Sequence, residues 1–114
     1  MTREEMLKRL KAGEDPLDLS IEKWEDIVEH LNQISKIEEY NKELQQGANN
    51  CALCEVYGYS YEHCPVYIAT KRMSCRNTPY PEFVSAEYHG LLNKMKIKAK
   101  EELEFLKSLK KQKD

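Results

Sequence analysis

Apolar residues recur at steps of three and four along most of this chain. Ile21, Trp24, Ile27, Val28, Leu31 and Ile34 form one such series, and the period is that of an amphipathic helix. Ile37, Tyr40 and Leu44 continue it more weakly, and Gly47 ends it, which predicts a long helix over about 21–46. A second series holds Val84, Tyr88, Leu91, Leu92, Met95, Ala99, Leu103, Leu106 and Leu109, with Glu and Lys opposite. It predicts a helix over about 82–110, entered through Thr78-Pro79-Tyr80-Pro81, because proline suits a first helical position. Gly90 is a weak point or close-packing site within it.

A shorter helix is predicted over about 3–12. Thr2-Arg3-Glu4-Glu5 reads as a capping box, Met6, Leu7 and Leu10 supply an apolar stripe, and Gly13 with Asp15-Pro16 ends it. The following DPLDLS reads as an extended connector, with Leu17 and Leu19 turned inward and Ser20 capping the next helix. The expected fold is mainly α and a single domain over 1–114. It comprises two long antiparallel amphipathic helices, a short N-terminal helix, and a cysteine-rich loop or short hairpin over 49–80, with VYGYSY at 56–61 as the stretch expected to pair in the hairpin. Because the last helix keeps a near-heptad pattern, a helical homodimer stands beside the monomer.

Composition narrows this picture. The chain has 114 residues, 33% charged and 40% hydrophobic, so the core should be thin and in need of a staple. No apolar run approaches the roughly 20 residues of a membrane span, and MTREEMLKRL has no apolar leader core. The expected location is the cytoplasm, that of the host for a viral protein. The net charge of -2 hides an asymmetry. Residues 1–50 carry 7 Lys and Arg against 12 Asp and Glu, and residues 71–114 carry 11 against 6. Complementary packing of the terminal helices explains this most simply.

All four cysteines fall in one quarter of the chain: Cys51, Cys54, Cys64 and Cys75. The C-x-x-C step at Cys51 and Cys54 is a half-site for tetrahedral zinc, and two more thiolates would close it. A reducing compartment favours metal ligation over disulfides. Four thiolates leave about two negative charges on a zinc site, and Lys71, Arg72 and Arg76 lie in the same segment to offset them. The predicted cofactor is a structural Zn2+. A site with His63, an iron–sulfur cluster and disulfides or free thiols remain open alternatives.

The strings NCALC, CPVY and a last Cys before TPY resemble small cysteine-cluster proteins of phages, archaea and archaeal viruses. AGEDPLDLSIEKWEDIVEHL resembles their helical lead-in. The likeness covers roughly residues 12–35 and 49–83. It departs at Tyr61, where a cysteine is usual in that group, and in the extension NQISKIEEYNKELQQG. The resemblance implies no settled activity, but a virus or mobile-element setting and an accessory or regulatory role.

Catalysis finds little support. His30, His63 and His89 lie on separate segments, and no phosphate-cradling loop or H-E-x-x-H is present. The reading is therefore a non-enzymatic, zinc-stapled protein-interaction module that modulates a host complex. Glu22, Glu25, Glu29 and Glu39 are its candidate partner-binding residues. The alternative is nucleic-acid binding through Lys71, Arg72, Arg76, Lys94, Lys98 and Lys110, with loop tyrosines stacking on bases. Glu101, Glu102 and Glu104 interrupt that basic face.

Overall fold

The computed structural model describes residues 2–44, 51–57, 64–70 and 78–113. Among the described residues six helices run in chain order: α1 Arg3–Lys11, α2 Pro16–Gln33, α3 Ala52–Tyr57, α4 Pro65–Thr70, α5 Tyr80–Tyr88 and α6 Leu92–Lys113. No strand occurs among the described residues, so the chain is mainly α as its periodicity requires.

The first helix is N-capped at Thr2, whose hydroxyl accepts from the Glu5 amide at 3.1 Å. Its C-terminal turn is tied to the next helix by Arg9. That guanidinium grips Glu14 through Nε and Nη2 at 2.8 and 2.7 Å and reaches Glu22 through Nη1 at 2.7 Å.

The second helix differs from expectation at both ends. It begins at Pro16, five residues early, because the Asp15 carboxylate caps the Asp18 amide at 3.1 Å and Pro16 takes the first position. Ser20 is therefore inside the helix and buried, not a cap, and its Oγ has no hydrogen-bond partner. The helix stops at Gln33 instead of running to 46. Ile34 is extended, and its carbonyl accepts from Lys96 Nζ at 3.1 Å. Two single 3-10 turns follow, Ile37–Glu39 and Lys42–Leu44. They fold the chain back so that the Asn41 amide donates to His30 Nε2 at 2.9 Å. Tyr40, 8% exposed, then reaches the Glu87 carboxylate.

The predicted last helix is two helices. α5 ends in a Schellman-type turn: the Leu91 amide bonds the Ala86 carbonyl at 2.9 Å, and the Gly90 amide bonds that of Glu87 at 3.2 Å. Gly90 has φ +68, a conformation that costs a side-chain-bearing residue energy. The break shifts the buried face. Phe83 and Ala86 are fully buried, while Tyr88 is 86% exposed. Beyond it, Met95, Ala99, Leu103, Leu106 and Leu109 all point into the core.

α2 and α6 are the antiparallel scaffold. Asp18 pairs with Lys110 near one end, and Ile34 meets Lys96 near the other. Along ideal helices those intervals span about 24 and 21 Å, so the two run alongside each other in opposite directions. One core cluster joins them to α5, α3 and α4 through Trp24, Ile27, Leu31, Phe83, Leu53 and Val66. Trp24 meets Phe83 edge-on at 5.0 Å and Tyr80 at 6.0 Å between centroids. A second cluster of Met6, Leu19 and Ala52 seats α1. The apolar face of α6 is thus occupied within the chain.

Candidate metal centre

The cysteine segment, expected as a loop or hairpin, forms two short helices in its described parts. Val56 and Tyr57, expected in a hairpin, close α3. Gly58 to Tyr61, the rest of that proposed hairpin, lie outside the described residues. Proline opens α4, and Cys51 and Cys64 each stand immediately before a helix. Each passes its carbonyl to the first helical hydrogen bond, Cys51 to the Glu55 amide and Cys64 to the Ile68 amide, both at 3.0 Å. Ala52, Leu53 and Val66 anchor these helices in the core, which leaves the two sulfurs over the first-turn amides.

The two thiols share one kind of backbone contact, though their ionisation moves in opposite directions. Cys51 Sγ lies against the amides of Leu53 and Cys54, the latter at 3.3 Å. Cys64 Sγ lies in the same way against those of Val66 and Tyr67. Inward-pointing amides stabilise thiolate over thiol. The Cys54 side chain donates to Cys51 and, against the effect of burial, holds the Cys51 thiol at about 6, with Lys23 and the two amides adding to the pull. Burial dominates at Cys64 and pushes its thiol up, and the Cys51 charge, close enough to be felt, adds to the rise. Cys54 is exposed, Cys51 and Cys64 are partly covered, and none of the three is in a disulfide.

Behind Cys51 lies a buried charged layer absent from the sequence reading. Lys23 is 6% exposed and Glu102 is 4% exposed. The Lys23 ammonium lies 5.7 Å from the Trp24 ring centroid, within cation–π range. Burial first, and the Cys51 charge second, push the Glu102 carboxyl up to about 7, against Lys23 and the Tyr80 amide. Glu102 Oε2 has no hydrogen-bond partner. Helical spacing was the available signal: Lys23 lies three after Ser20 and four before Ile27, and Glu102 lies three after Ala99 and four before Leu106, all buried.

Cys75, His63, Lys71, Arg72 and Arg76 lie outside the described residues. Among those described, no three His, Cys, Asp or Glu side chains are gathered as a metal ion requires. The donor chemistry nevertheless fits zinc: a C-x-x-C pair with an amide on sulfur and a third thiol lying against first-turn amides of its own.

The other candidate residues are dispersed. Glu22 is held by Arg9 and is not a free acidic group. Glu39 sits on the first 3-10 turn, not on α2, and accepts from the Ser35 amide at 3.1 Å. Glu25 and Glu29 are exposed on α2. Lys98 is clamped between Glu82 at 2.6 Å and Glu101 at 2.8 Å, and Lys110 pairs with Asp18. Lys94 stays exposed. No helix of the described residues is long and apolar enough to cross a membrane. Comparison with protein-family models, with curated proteins and with solved structures gives no match.

Proposed function

We propose that this chain is a small zinc-stapled protein-interaction module, with Cys51, Cys54, Cys64 and Cys75 as the ligands. The carrying observation is the paired setting of Cys51 and Cys64, each sulfur capped by two first-turn amides. Such a site holds α3 and α4 against the α2–α6 scaffold, and zinc binding there adds to folding free energy. A site closed by four protein ligands leaves no position for a reacting water, so the reading is non-enzymatic. Lys23 sets a buried positive charge near Cys51, the role expected of Lys71, Arg72 and Arg76.

The partner face is the exposed acidic side of α2, at Glu25 and Glu29. They are one helical turn apart and have no ion pair among the described residues. An accessory role toward a basic host complex, in a virus or mobile element, fits this face. Nucleic-acid binding ranks second, because Lys98 and Lys110 are neutralised within the chain and little counterion release is left.

The test pairs capture and titration. Zinc-loaded protein should capture a host partner, and Glu25→Lys with Glu29→Lys should abolish that capture. Labelled DNA and RNA should bind weakly at near-physiological salt. Steeply salt-dependent nucleic-acid binding, lost on neutralising Lys94, would overturn the ranking.

A further inference from the structure

We propose that the groove between α1 and α3 docks an amphipathic helix of a partner protein whose apolar anchors are flanked by acidic residues. This deepens the interaction-module reading and rests on it.

The groove has a volume of about 660 Å³ and is lined by Leu7, Lys8, Leu10, Lys11, Glu55 and Val56. Its apolar wall arises from how α1 is seated. Met6 takes the inward position against Leu19 and Ala52, which leaves Leu7 and Leu10 only partly covered beside that cluster. Val56 faces them from α3 and is 48% exposed. Leu7 and Leu10 are one turn apart on α1, as are Lys8 and Lys11, so the groove offers anchors and charges at helical intervals. A helix laid into such a groove carries its own apolar anchors at i, i+3 and i+7, and Leu7, Leu10 and Val56 are the side chains they would meet.

Charge decides which helix fits. Glu55, the acidic group of the lining, already pairs with Arg3 at 3.5 Å. Lys8 and Lys11 are exposed and have no ion pair among the described residues. The groove therefore presents two uncompensated positive charges beside an apolar floor. An acidic amphipathic helix gains from both, whereas a basic one meets repulsion that also slows its encounter. The groove wall follows Cys54 directly in sequence, so whatever stiffens the cysteine turn also fixes Val56.

The test uses the full chain and two labelled helical peptides with the same leucine spacing, one flanked by glutamates and the other by lysines. Fluorescence anisotropy at near-physiological salt should show the acidic peptide binding at least about tenfold more tightly. Its amide shifts should fall on Leu7, Leu10 and Val56. Lys8→Glu with Lys11→Glu, both exposed sites, should reverse the preference. Val56→Glu should weaken binding of the acidic peptide. Equal binding of both peptides, shifts elsewhere, no binding, or a groove covered by a second copy that the peptide cannot displace would each overturn the proposal. Zinc content and Glu25/Glu29-dependent capture are measured on the same samples. If they persist while the peptide fails, only the groove is rejected. If they fail while the acidic peptide still binds here, the groove stands and the zinc-stapled reading falls.

Discussion

Tyr40 donates its phenolic hydrogen to the Glu87 carboxylate at 2.6 Å, joining positions 47 apart in sequence. The contact pins the turns after α2 onto the end of α5. The Tyr40 hydroxyl is buried and faces an anion, so its ionisation is pushed well above the usual range. Tyr40→Phe should cost about 1.5 kcal/mol in urea unfolding, the scale of a hydrogen bond to a charged group. A loss within error of zero would mean that solvent replaces the bond and the turns are held by apolar packing alone.

Gly90 is the second joint. A methyl group there would meet only Ile37 Cγ1 at 3.7 Å, an ordinary contact, so the cost of Gly90→Ala is backbone strain at φ +68. About 1–2 kcal/mol is expected, and Gly90→Asn should cost less. Equal losses for both substitutions would point to something other than φ.

These two joints show where sequence reading reached its limit. The buried stripe from Ile21 to Ile34 and that from Met95 to Leu109 were legible, because burial repeats with the helical period. The stop of α2 at Gln33 was not. Lys96, which caps Ile34, lies 62 residues away, and no local breaker stands at the end. The signal for its start was present in Asp15-Pro16, a cap followed by proline, but alternating Leu17 and Leu19 imitate a strand-like connector. Gly90 marked the break in the last helix, yet an isolated glycine does not distinguish a packing site from a terminus. At the candidate site the C-x-x-C step was legible. The helical setting of Cys64 was hinted at only by Pro65, and Lys23 and Glu102 looked like surface charges.

Glu102 supplies a pH prediction. Its folded-state value is raised from 4.5 to about 7, first by burial and then by the Cys51 charge. Between those values the folded chain keeps a proton that the unfolded chain releases, so stability should fall as pH rises through the window. The ceiling is roughly 3 kcal/mol at 1.36 kcal/mol per unit. Glu102→Gln should flatten that slope and raise the melting temperature at pH 8. Glu14 and Glu22, held low by hydrogen bonds from Arg9, and Glu82, held low by Lys98, act in the opposite direction. Their contribution is present above the ordinary carboxylate value and is lost as pH falls below it. Melting curves from pH 3 to pH 9 separate these two windows from a third, above pH 6, where the lowered Cys51 thiol adds stability as pH rises. A slope above pH 5 that Glu102→Gln leaves unchanged would assign it to another group.

The central claim is one zinc held by Cys51, Cys54, Cys64 and Cys75, and native mass spectrometry of chain purified under reducing conditions tests it most directly. One zinc per chain is expected. Cys54→Ala, an exposed position whose loss should not disturb the core, should abolish it, as should Cys75→Ala. Chelation should lower the melting temperature, with α3 and α4 loosening before the α2–α6 pair. A folded chain that carries no metal, and whose melting curve is the same with and without chelator, would contradict the account.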